Sequence, residues 1–173
     1  MLCRTAWLVF LTFCLLVTQP IARARPDFTG SYVWQSGSED LFSPREQHHA
    51  ETVPGAAVRM EVVQSASSIT VTLVWKDGHT NINEFHLDGK NDVYHSPDGE
   101  DGKYHAHLKG EQLFIETTVV RDALHNGHPS KTHSRIVWTL SNDGKTLTIT
   151  RVNDWPDVPM NVGAKYTEVF ARK

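Results

Sequence analysis

From Asp77 to Gly144 a glycine preceded by Asp, Asn or Lys recurs at short intervals, and this punctuation constrains the chain more than any other feature. The pairs are Asp77-Gly78, Asp88-Gly89, Asp98-Gly99 or Asp101-Gly102, Lys109-Gly110, Asn126-Gly127 and Asp143-Gly144. Asp-Gly and Asn-Gly suit tight hairpins, because both central residues of a type I′ turn need positive φ. The stretches between them are rich in β-branched and aromatic residues. Ile69 to Trp75 alternates strictly, with Ile69, Val71, Leu73 and Trp75 on one face and Thr70 and Thr72 on the other. Ser134 to Leu140 does the same, with Ile136, Trp138 and Leu140 inward and Arg135 outward. Leu113–Val120, Thr146–Val152 and Ala164–Phe170 read as strands with looser alternation, and Phe28–Trp34 and Val58–Gln64 complete the set. No segment after residue 24 keeps a helical period, so the fold class is all-β.

Short connections make consecutive strands antiparallel neighbours, which gives a meander. A meander of about eight to ten strands removes its exposed edges by rolling or closing into a barrel. Gln35 to Ala57, poor in apolar residues, reads as a long crossing loop that covers one barrel end with Leu41 and Phe42. Asn153 to Gly163 is also aperiodic but holds Trp155, Pro156, Val158, Pro159 and Met160, so it is expected to fold over an opening.

The N-terminal segment has a different character. Arg4 precedes an almost unbroken apolar run, Ala6 to Val17, which Thr18, Gln19 and Pro20 end before Ala22-Arg23-Ala24. That is the anatomy of a cleavable secretory signal, too short for a membrane span. Residues 1–24 are therefore expected to be a signal peptide and 25–173 a single domain, exported to a periplasm or secreted. Both cysteines, Cys3 and Cys14, lie in the signal, so the mature chain has no disulfide and is held by its core. A lipid anchor at Cys14 is disfavoured by the bulky Phe13 before it.

The chain has 17 basic and 20 acidic residues. Without Arg4 and Arg23 the balance is 15 to 20, a net of about −5. A mildly acidic domain does not seek phosphate backbones, which argues against nucleic acid as a partner. All ten histidines fall after residue 24 and would swing the net charge below about pH 6.5.

Asp27-Phe28-Thr29-Gly30-Ser31-Tyr32 resembles the F-x-G-x-W opening of small exported bacterial domains described as lipocalin-like. The resemblance extends to Asn83–Lys90, which contains Asp88-Gly89-Lys90, and to Trp138–Thr148, which contains Asp143-Gly144-Lys145. It implies an antiparallel lipocalin-like barrel and an exported location, and it implies no reaction. Tyr32 stands where the pattern prefers Trp. In such barrels an Arg of the last strand stacks on that aromatic at the closed end, a role that falls to Arg172.

Several constellations could carry chemistry. His105 and His107, two apart on a strand, share a face and could hold one metal, with His86, His95 or Glu84 as a third ligand. The same face carries Lys103 and Lys109, which reads as solvent and opposes a divalent cation. His125, His128 and His133, and the pair His48-His49, read as wet surface histidines, able at most to bind zinc or copper weakly. Asp98, Glu100 and Asp101 lack the longer ligand series of a calcium loop. No cysteine follows residue 24, and no serine sits in a Gly-x-Ser-x-Gly elbow. Glu84 and Glu116 would serve as paired carboxylates only across a barrel interior at the right separation.

The aromatic residues are the remaining signal. Trp75, Trp138 and Tyr104, with Trp34, Tyr94 and Phe114, would line a core or cavity, and Trp155 would stand at the barrel mouth. Plugging is the simpler role for Trp155, since small barrels fill with side chains. The leading expectation is a monomeric exported barrel that binds a small apolar or amphipathic ligand near Trp155, Trp75, Trp138 and Tyr104 and has no obligatory cofactor, with an enzymatic role the less favoured reading. One alternative is a solid structural or interaction module of the cell envelope, which predicts an exposed apolar patch. The other is a histidine-dependent metal protein or hydrolase built on His105, His107 and His86.

Overall fold

The computed structural model describes residues 25–42, 47–50, 57–95, 101–121, 130–156 and 163–173. The proposed signal 1–24, the pairs Asp98-Gly99 and Asn126-Gly127, and His125, His128, Pro159 and Met160 lie outside them, as do the side chains of His48, His49, Tyr94 and His95.

The described residues form strands and turns, with no helix among them. The strands are β1 (Gly30–Phe42), β2 (Gln47–Ala50), β3 (Arg59–Gln64), β4 (Ser68–Val74), β5 (Thr80–His86), β6 (Asn91–His95), β7 (Asp101–Lys109), β8 (Gln112–Arg121), β9 (Ser130–Leu140), β10 (Thr146–Asp154) and β11 (Gly163–Arg172). Every pairing is antiparallel, in the order β5-β4-β3-β1-β11-β10-β9-β8-β7-β6, with β2 added on β1. The first strand pairs with the last, so ten strands wrap into a nearly closed barrel whose seam lies between β5 and β6. Across that seam β5 touches β6 and β7 without a ladder.

The meander follows the turn chemistry read from the sequence. Gly78, Gly89, Gly110 and Gly144 all have positive φ, the conformation that Asp-Gly and Lys-Gly hairpins require. Asp101-Gly102 differs: it opens β7, and Gly102 lies flat against β8, where an added Cβ would come 2.5 Å from the Thr118 carbonyl oxygen. Here glycine serves a close strand approach rather than a turn.

The expected crossing loop from Gln35 is also corrected. β1 continues through it to Phe42, paired with β11 throughout, and Gln47–Ala50 folds back on β1 as β2. A bulge between Trp34 and Ser36 inserts one residue and breaks the alternation, which hides the strand from a period-two reading.

Alternation then sorts the walls. Met60 and Val62, Ile69 and Val71, Leu113 and Ile115, Leu147 and Ile149 face inward and are buried, and their odd-numbered or even-numbered neighbours face solvent. The buried cluster also takes in Phe28, Tyr32, Phe85, Tyr104, Trp138 and Phe170. It fills the barrel toward the end where Gly89, Gly110 and Gly144 turn the chain. Phe28, expected inside the first strand, instead precedes β1.

Candidate functional site

The packed end is closed by the segment leading into β1. Phe28 is fully buried and meets Trp138 edge to face, ring centroids 6.0 Å apart. The Gln64 side chain holds the segment from both sides, accepting the Phe28 N–H at 3.0 Å and donating to the Pro26 carbonyl at 2.9 Å. Tyr32 donates its hydroxyl to the Phe28 carbonyl at 2.8 Å. Arg172 lies over the Tyr32 ring, 5.5 Å from its centroid, and donates to the carbonyls of Asp27, Thr29 and Gly144. Burial pushes the Tyr32 phenol above its ordinary value. This end excludes a ligand and anchors the barrel.

Toward the other end the inward face turns polar. On β10 the alternation that buries Leu147 and Ile149 puts Arg151 and Asn153 on the same face. On β11 it puts Glu168 in line with Phe170, and Glu168 is only 9% exposed. Burial raises the Glu168 carboxyl above its ordinary range; the charge of Arg151 opposes that rise through space, without a hydrogen bond between the two. The bulge in β1 sets Gly37, which has no side chain, opposite Glu168.

Two buried polar atoms of this face lack a hydrogen-bond partner, Arg151 Nε and Asn153 Oδ1, and so does Trp34 Nε1 lower down, in the row of Phe170 and Leu147. Trp34 lies on β1, Glu168 on β11, and Arg151 and Asn153 on β10, which are consecutive strands of the wall. Across the barrel, Asn83 on β5 donates to the Asn81 side chain and Thr117 on β8 is buried. The interior is thus apolar at its closed end and carries an unpaired donor and an unpaired acceptor above it.

The residues expected to bind a ligand are dispersed. Trp138 belongs to the packed end. Tyr104 is buried against Phe85, with ring centroids 5.1 Å apart, and its hydroxyl is occupied at the seam, accepting the His86 N–H at 2.8 Å and donating to Asp92 at 3.3 Å. Trp75 lies past the end of β4 against the ring of His79. Trp155 is half-buried just after β10, at the end away from Phe28. Arg151, Glu168 and Asn153 were not singled out from sequence. Their signal was available, because a charged residue falling in phase with Leu147 and Ile149, or with Phe170, is out of place in a core.

His105 and His107 lie on the outer face, ring centroids 5.2 Å apart, and His107 stacks flat on Phe114 at 5.4 Å. His86 is engaged with Asp92 instead, Nδ1 to Oδ2 2.6 Å. Among the described residues no three His, Cys, Asp or Glu side chains group as metal ligands. Glu84 and Glu116 both point outward, next to buried Asn83, Phe85, Ile115 and Thr117, so they do not face each other across the interior.

An open trough of about 960 Å³ runs over the outside of β6–β9, lined in part by Lys103, His105, Glu116, His133 and Arg135. Its charges are mixed, and Arg135 is tied to Asp154 at 3.4 Å. A shallow charged surface of this kind lacks the enclosure that binds apolar molecules, so the interior patch is the stronger site. Exposed Val63 and Ile82 sit singly beside Thr and Glu residues of neighbouring strands, not as an apolar patch.

No family model matches the chain, and no curated protein matches it. Among solved structures, the barrel is similar to the REP1-NXSQ fatty acid transporter, with a TM-score of 0.50 and 13% identity over 84% of this chain and 95% of that one. It is similar to zebrafish ileal bile acid-binding protein complexed with cholic acid, with a TM-score of 0.50 and 14% identity over 84% and 98% of the two chains. Apo lipid binding protein 8 of Caenorhabditis elegans matches with a TM-score of 0.50 and 12% identity over 84% and 95%. The likeness shows the fold, which narrows the expected lipocalin-like barrel to a fatty-acid-binding-protein-like β-barrel.

Proposed function

We propose that this protein binds one small amphipathic molecule inside its barrel, the apolar part against the core and the polar part at Arg151, Asn153 and Glu168. The observation that carries this reading is the pair of unpartnered buried atoms on the inward face of β10, Arg151 Nε and Asn153 Oδ1, beside the buried carboxyl of Glu168. Each buried polar group left without a partner costs about 1–3 kcal/mol, so two side by side mark a place where a partner belongs. A ligand head group supplies one, and the surrounding apolar area supplies most of the affinity. The solved neighbours include proteins named for fatty acids and bile acid, which supports a lipid-like occupant.

The test is titration of the purified domain with Nile red, an uncharged apolar dye, followed by displacement with single-chain lipids. Saturable Nile red binding at one site is expected, with displacement by single-chain lipids weakened about tenfold or more in Arg151→Leu. Absence of any saturable site in a correctly folded protein would refute the reading. The signal-like character of residues 1–24 supports an exported binder, and the N-terminal mass of protein recovered from the exported fraction tests that: a start at Arg25 is expected, and a retained leader would overturn it.

A further inference from the structure

The charge on the inward face says more about the ligand than its apolar lining does. Above the packed end, Arg151 and Glu168 are the charged side chains described on the inward faces of β1, β9, β10 and β11. They have opposite signs, and they act on each other through space rather than through a direct bond. Among the described side chains the charges of that space balance, and it offers a donor at Arg151 Nε and an acceptor at Asn153 Oδ1; the register also sets Glu39 of β1 and Tyr166 of β11 in the row of Arg151, the Glu39 side chain lying outside the described residues.

Resting on the reading of the barrel as a binder, we infer that it selects amphiphiles whose head group is uncharged and both donates and accepts hydrogen bonds, such as an alcohol, an amide or a glyceride, over the corresponding carboxylates. A hydroxyl or amide satisfies both kinds of orphan atom and leaves the Arg151–Glu168 balance intact. A carboxylate offers acceptors only, so Asn153 Oδ1 stays unpaired, and its charge falls beside Glu168 in a site of low dielectric. Relief comes only if Glu168 takes up a proton, which couples carboxylate binding to proton uptake. An ammonium head would meet Arg151 in the same unfavourable way.

The experiment compares hexadecanol, palmitamide, 1-monopalmitin, palmitate and hexadecylamine as displacers of Nile red at pH 7.5. In the unaltered protein the three uncharged lipids are expected to displace the dye at concentrations about tenfold or more below palmitate, a factor that equals one unit of protonation linkage. Glu168→Gln keeps the side-chain shape and removes the opposing charge, so palmitate should become the better ligand. A second measurement needs no variant: palmitate affinity should rise as pH falls toward 5.5, while hexadecanol affinity stays flat. Palmitate binding best in the unaltered protein, with no pH dependence, would overturn the inference and leave the binding barrel standing. No displacement by any member, with Nile red also unbound, would instead remove the binding reading itself.

Discussion

His86 Nδ1 lies 2.6 Å from Asp92 Oδ2, which ties β5 to β6, the two strands that end the hydrogen-bonded order of the wall. Tyr104 of β7 completes the clasp, its hydroxyl accepting from the His86 backbone and donating to the same carboxylate. The Gly89 N–H adds a bond to the Ala106 carbonyl at 3.1 Å. A seam without a ladder is thus closed by side chains, and two of them titrate.

The clasp depends on pH with a definite sign. The hydrogen bond to Asp92 raises His86 above its ordinary 6.5, helped by the charges of Asp92, Glu84 and Asp88, although desolvation opposes the rise. The His86 hydrogen bond in turn holds Asp92 below its ordinary 3.8. The His86 contribution is complete below pH 6.5 and is lost as pH rises through its raised value; the Asp92 contribution is complete above pH 3.8 and is lost as pH falls through its depressed value. Amide exchange of β5 and β6, corrected for intrinsic rates, should be slowest between those limits and quicken at alkaline pH. In Asp92→Asn that alkaline quickening should vanish, and the His86 titration midpoint should move down.

Tyr104→Phe keeps the ring against Phe85 and removes the hydroxyl that serves both strands. Stability should fall by about 1–2 kcal/mol, the loss of a part-buried hydrogen bond plus an unpaired N–H. Exchange at His86 should quicken far more than exchange at Leu147 in the packed end. Equal quickening at both sites would mean that the seam does not open separately.

Phe28→Ala should empty the closed end. A fully buried aromatic ring costs about 3–5 kcal/mol when truncated, because its neighbours relax only in part. Chemical denaturation should show the loss, and Trp138 fluorescence should shift toward the red as its edge-to-face partner disappears.

Arg172→Ala removes both the cation over Tyr32 and the donors to three carbonyls. A loss of about 2–3 kcal/mol is expected from charged hydrogen bonds and the ring contact together. Arg172→Lys should recover less than half of it, since an ammonium cannot span those carbonyls as a planar guanidinium does. Thermal melts of the two variants decide the point.

Gly102→Val should loosen β7 from β8, because its Cβ would press on the Thr118 carbonyl oxygen, a backbone atom that cannot swing aside. The cost should be about 1–3 kcal/mol, in the range of overpacked sites. A variant as stable as the parent would show that β7 shifts freely, contrary to the close approach seen here.

Much of the architecture was written locally. Positive φ at Gly78, Gly89, Gly110 and Gly144 follows from their own dipeptides, and the inward faces of β4, β8 and β9 follow from alternation, because turns and pleats depend on neighbouring residues alone. What lies between distant strands was not legible in that way. The continuation of β1 past Trp34 depends on a bulge that only pairing with β11 reveals. Gly102 looked like a turn until β8 stood behind it. The inward polar stretch of Glu168, Arg151 and Asn153 joins residues from two strands, and its unpaired atoms exist only because the barrel removes them from water. Sequence by itself determined the all-β meander and its hairpins, whose causes are short-range; tertiary closure alone decided which polar groups are buried without a partner, since burial is a property of the assembled wall.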